Sequence, residues 1–142
     1  MDYQELYSEL FKEIENKYGP IDEVTLTSVI GFSGGGPVSL STIEKKNLYV
    51  TCELSVYPEQ HKSSENLNYE LFSAGSFNSD WCRSVLTALG NLAVNAALGD
   101  EHTIDISGVV DADDTVQKVK LRLFSKIQYE GNDYGIYEVL PS

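Results

Sequence analysis

The sequence predicts an α+β domain: a largely antiparallel or mixed β-sheet of about six strands packed against two main helices, residues 2–18 and 79–98. Three observations predict it. Apolar residues recur with the period of one helical face from Tyr3 to Tyr18 and again from Trp81 to Ala96. Between and after these segments, short β-branched runs alternate apolar with polar positions and are bounded by Gly, Pro and Asn. The chain has 142 residues, 42% apolar and 23% charged, which suits one globular domain (1–142) that buries a core without staples.

Asp2 is placed to cap the first helix. The stripe of Tyr3, Leu6, Tyr7, Leu10, Phe11, Ile14 and Tyr18 opposes Glu5, Glu9, Lys12 and Glu13. Gly19-Pro20 ends the helix, because Gly permits a left-handed turn and Pro cannot continue. The stripe is expected to dock on the chain's own sheet rather than to offer a partner a groove. EVTLTSVI, from Glu23 to Ile30, reads as a half-buried strand. Gly34 to Gly36 before Pro37 read as a loop, and VSLSTI after it as strand. LYVTCELS, from Leu48 to Ser55, reads as a strand with Val50, Cys52 and Leu54 on one face. The polar stretch YPEQHKSSENLN reads as an exposed loop, and NYELFS, from Asn68 to Ser73, as the next strand.

The central helix is SDWCRSVLTALGNLAVNAALG. Trp81, Val85, Leu89, Leu92 and Ala96 form one face, and Cys82, Leu86, Ala93 and Ala97 line the adjacent one. No charged residue falls between Arg83 and Asp100, so the helix is expected inside the protein, apolar over most of its circumference. A membrane span needs ~20 mostly apolar residues, and Ser84, Thr87, Gly90, Asn91 and Asn95 interrupt the run. Asn78 or Ser79 is the expected N-cap, Asp80 suits the positive end, and Gly99 reads as the C′ residue.

Beyond it, Thr103 to Ile106 reads as a short edge strand and GVVDADDTV as a loop. Val119 to Phe124 alternates, with Lys118, Lys120 and Arg122 directed away from Val119, Leu121 and Leu123. After a turn at GNDYG, Gly135 to Pro141 reads as the last strand. No repeat, low-complexity tract or linker interrupts this order.

Net charge is −12, from 22 acids against 10 bases, with a pI near 4.4. This argues against nucleic acid or an anionic membrane as a direct partner, since both demand a basic patch. It suits a basic protein partner, for which complementary charge speeds encounter; simple solubility is the other reading. The two cysteines, Cys52 and Cys82, form no CxxC pair and read as buried free thiols of a reducing compartment. The N-terminus, MDYQELYSEL, carries acids where a signal peptide needs a basic and an apolar region, so a cytoplasmic protein is expected.

Chemistry-bearing spacings are scarce. The glycine run fits neither GxxxxGK[ST] nor GxGxxG, and no lysine follows it. His61 lies in the polar loop; His102 could act as a base beside Asp100, Glu101 or Asp105, with capping or packing the plainer role. DADDTV, from Asp111 to Val116, fails as a calcium loop because Thr115, Val116 and Arg122 stand where a carboxyl, a glycine and a glutamate are required. No cofactor and no metal are expected.

Several of these residues occur in an order that resembles the suppressor-of-fused-like domain family. Thr51, Leu54 and Ser55 match its T-x-G-L-S strand, with Glu53 in place of the glycine, and Glu70 and Leu71 match the following E-L pair. Trp81, Val85, Leu86, Leu92 and Ala93 follow its tryptophan-led helix, Gly99 and His102 stand near its gly-his pair, and Val139, Leu140 and Pro141 near its terminal strand. The resemblance spans roughly residues 30 to 141. It implies a non-enzymatic binding module: bacterial members resemble immunity proteins encoded beside toxins, and the animal relative sequesters a transcription factor.

The expectation is therefore an immunity or antidote protein that occludes a protein partner, a basic toxin domain being the candidate, through Asp100, Glu101, Asp111, Asp113 and Asp114. The alternative is a small-molecule-binding domain or modest hydrolase with a cleft near Gly34–Gly36 and His102. A structural subunit docking through the first helix is a third reading.

Overall fold

Every strand among the described residues joins one sheet. The computed structural model describes residues 4–21, 23–24, 40–52, 54–57, 60–75, 77–111 and 113–142. In chain order the elements are α1 (Gln4–Leu10), α2 (Lys12–Tyr18), β1 (Glu23–Val24), β2 (Leu40–Ile43), a 3-10 turn (Glu44–Lys46), β3 (Leu48–Thr51), β4 (Asn68–Ala74), α3 (Ser79–Asn95), β5 (Thr103–Asp105), β6 (Lys118–Tyr129) and β7 (Asn132–Pro141). The seven strands of the described residues lie in the order β1-β2-β3-β4-β7-β6-β5. β4 and β7 pair in parallel and all other neighbours pair antiparallel, so the sheet is mixed, as expected.

Helices cover both faces. On β4, Tyr69 and Leu71 point toward α3, while Phe72 joins Leu6, Leu10, Phe11 and Ile14 of the first helical segment on the other side. β7 repeats the alternation, with Tyr137 and Val139 on the α3 side and Tyr134 and Ile136 on the other. The first helix thus docks on its own sheet, as the stripe predicts. It is two helices rather than one: Phe11, at φ −86° and ψ −2°, forms a turn between α1 and α2. Neither Gly nor Pro marks that step, so no sequence signal announces it. The expected Asp2 cap lies outside the described residues, as do most of the strand 23–30 and the loop Gly34–Gly36.

α3 is the crossover that parallel pairing of β4 with β7 requires, together with β5 and β6. Asn78 caps it, its Oδ1 accepting Trp81 N–H at 2.8 Å. Cys82, Val85, Leu86, Leu89 and Ala93 are buried, whereas Arg83, Ser84, Asn91 and Asn95 are exposed. The helix therefore lies on a sheet face with a polar side outward, not inside the protein, and Trp81 is only half-buried. It ends at Asn95 instead of residue 98, because Ala96 is already extended (φ −154°, ψ 153°). Gly99 is consequently no C′ residue. It serves close approach: a Cβ there would overlap the Ser64 side chain.

Three strand boundaries also move. β3 stops at Thr51, so Val50 and Cys52 face the α1 side while Leu54 joins the α3 cluster. β6 runs on to Tyr129, and the turn is not GNDYG but Glu130-Gly131 alone, with Asn132 paired to Tyr129. Both turn residues have positive φ, 49° and 84°, as a two-residue type I′ hairpin demands. The polar Asn132-Asp133 pair looks like loop in composition, but the ladder to Gln128 and Tyr129 satisfies its backbone.

Candidate partner-binding surface

β5 is the last strand in the sheet, with β6 on one side, and the five acids singled out by sequence flank its two ends. Asp100 and Glu101 occupy the turn before it; Asp111, Asp113 and Asp114 belong to the loop between β5 and β6. They are not equivalent. Asp100 is half-buried and works within the fold: Oδ1 accepts Leu123 N–H at 2.7 Å, and its own N–H donates to Glu65 Oε1 at 2.9 Å. Glu101 is exposed, sits at φ 69°, and pairs with Lys120. At this exposure such a pair contributes ~0–1 kcal/mol.

The later three acids face solvent. Asp114 Oδ2 accepts Asp111 N–H at 3.2 Å, Asp111 O accepts Asp114 N–H at 3.0 Å, and Gln117 Nε2 donates to both carbonyls at 2.9 Å. The loop is thereby braced in part by the Asp114 carboxylate itself, while all three acidic residues stay exposed. Among the described residues none of the three pairs with Lys, Arg or His. Asp105 adds a further exposed carboxylate on β5, held below the usual range by the Ser107 hydroxyl and N–H.

The same loop meets the start of α3. Phe77 and Trp81 stack with centroids 3.7 Å apart and planes at 9°. With Asn78, Asp114, Thr115 and Val116 they line an open cleft of about 240 Å³. Sequence periodicity assigns Trp81 to the core face and so misses this cleft.

A second constellation, hidden in the resemblance motif, is buried. Glu70 of β4 is 0% exposed and its carboxylate collects five donors. Oε1 accepts Thr51 Oγ1 (2.6 Å) and Leu54 N (3.2 Å). Oε2 accepts Tyr7 Oη (2.8 Å), Ser55 N (2.8 Å) and Ser55 Oγ (2.6 Å). Burial pushes its pKa up to about 7, against the pull of the Ser55, Thr51 and Tyr7 hydrogen bonds. Tyr7 is in turn pushed far above its ordinary range by burial and by the Glu70 charge. A carboxylate with no exposed atom is a structural node that ties α1, the end of β3 and β4 together. Its signal in the sequence is a charged residue inside the apolar run Tyr69-Glu70-Leu71-Phe72.

The remaining candidates stay apart. His102 is exposed after α3, its backbone N–H donating to Gly99 O at 3.2 Å. Glu65 is held below the usual range despite partial desolvation, because Tyr137 Oη (2.5 Å), Asp100 N and Ser64 Oγ donate to it. His61 is exposed and bonds Ala93 O through its backbone. Cys82 is a buried free thiol pushed up to about 11 by desolvation, while Cys52 is half-buried. Among the described residues no group of three or more His, Cys, Asp or Glu could hold a metal ion, and no helix is long and apolar enough to cross a membrane. No family model matches the chain, and no curated protein matches it in sequence.

Proposed function

We propose that this chain is a non-enzymatic protein-binding module of the suppressor-of-fused-like kind. It acts as an immunity protein that occludes a basic partner with the acidic surface around β5. One observation carries the reading: Asp111, Asp113 and Asp114 project from a braced loop beside an exposed edge strand, without a cationic side chain among the described residues to neutralise them. Such a surface steers a basic protein during encounter and rejects acidic ones. Of the residues that carry the resemblance, Thr51, Ser55 and Glu70 meet in one buried hydrogen-bonded node.

The test compares two baits in lysate, the natural chain and an Asp111→Lys, Asp113→Lys, Asp114→Lys variant, at low and at high salt. The expected outcome is a basic protein retained by the first bait, released as salt rises, and absent from the second. Equal retention on both baits, or none on either, removes the surface from consideration.

A further inference from the structure

Trp81 lies in the first turn of α3, yet its indole stays half-buried and stacks flat on Phe77. Both residues line the cleft together with Asp114, and among the described residues no Lys, Arg or His lines it. A helix N-terminus carries partial positive charge and would favour an anion there. Two features offset it: Asn78 Oδ1 already occupies Trp81 N–H, and Asp80 stands in the first turn. Exposed Asp111 and Asp113 in the adjoining loop make the surroundings more negative still.

We propose that this cleft seats one arginine side chain of the protein partner, an inference that rests on the binding reading above. A guanidinium is planar and weakly hydrated, so it stacks on an indole face while its forked N–H groups reach a carboxylate. The Trp81 and Phe77 rings, which line the cleft, supply the aromatic wall and Asp114 the carboxylate. Lysine, a strongly hydrated point charge, uses the aromatic wall less well. The acids around β5 draw the partner in, and the cleft selects the residue that docks.

Trp81 is the chain's one tryptophan, so its emission reports on the cleft directly. The probe is the pentapeptide acetyl-Gly-Ser-Arg-Ser-Gly-amide, titrated at fixed ionic strength beside versions with lysine or citrulline in place of arginine. Citrulline keeps the shape and loses the charge. The arginine peptide should change Trp81 emission saturably, with the citrulline peptide about tenfold weaker. Asp114→Asn keeps an acceptor for Asp111 N–H, so it should leave the far-ultraviolet circular dichroism unchanged while weakening the arginine peptide about tenfold. Citrulline binding as tightly as arginine, lysine binding more tightly, an unaffected Asp114→Asn variant, or no saturable response would each overturn the seat. A labelled hexa-lysine, followed by its own anisotropy, separates the two readings. If it binds with steep salt dependence while arginine leaves Trp81 silent, the seat falls and the acidic surface stands; if it does not bind either, both fall.

Discussion

Glu70 is held between two opposing demands: burial favours its neutral form, and five hydrogen-bond donors favour its carboxylate. The balance places it near 7, above the ordinary 4.5. Below pH ~4.5 folded and unfolded chains both keep the proton, and Glu70 costs the fold nothing. Between pH ~4.5 and ~7 the unfolded chain ionises while the folded one retains its proton, so stability falls as pH rises, by on the order of 3 kcal/mol; above that the loss levels off. Urea unfolding at pH 5 and pH 8 should show the natural chain losing more stability than Glu70→Gln, since only the former titrates there. Parallel losses would contradict this. Glu70→Gln itself should cost about 1–3 kcal/mol at pH 5, because its amide group faces a backbone N–H that already donates. A protonated carboxyl escapes that conflict, as its hydroxyl oxygen still accepts.

At the scale of elements, local rules held where a segment's own residues decide its state. The Asn78 cap, the docking stripe of α1 and α2, and the cores of β4 and β7 follow from capping and periodicity. They failed where a neighbour decides. β6 gains Ser125 to Tyr129 by pairing with β7, past a register shift between Leu123 and Ser125 that breaks simple alternation. α3 loses its last expected turn where the chain turns away at Ala96, and its following segment binds Ser64 N–H through Leu98 O. The hairpin offers a direct test. Glu130 occupies a left-handed position that asparagine tolerates better, so Glu130→Asn should stabilise the chain by about 0.5–1 kcal/mol. The urea midpoint should rise at constant slope. A lower midpoint would show that Glu130 makes contacts worth more than its backbone strain.

For the whole molecule, 22 acids against 10 bases create a self-repulsion that the fold must contain. Raising salt from a few millimolar to about 0.15 M shortens the Debye length to ~8 Å and should raise the thermal midpoint. An unchanged or lower midpoint would mean that specific pairs such as Lys120–Glu101 outweigh the net repulsion. The same charge was the most legible part of the candidate surface, since acids in loops after a helix project outward under almost any packing. Asp100 shows the limit of that inference. Its composition and position match those of its neighbours, yet its carboxylate serves Leu123 N–H inside the fold.

By itself the sequence determined the α+β class, the places of the main helices and most strand cores, and the acidic balance, because periodicity, capping and charge act through residues a few positions apart. Tertiary structure alone decided that β4 would lie parallel to β7 and that helices would cover both sheet faces. It alone brought Tyr7, Thr51 and Ser55 onto Glu70 across separations of 63, 19 and 15 residues, and set Asp114, Thr115 and Val116 beside Phe77 and Trp81. Contacts between distant segments leave no periodic trace in the chain. They exist only once burial of the two apolar clusters has fixed which backbone lies beside which.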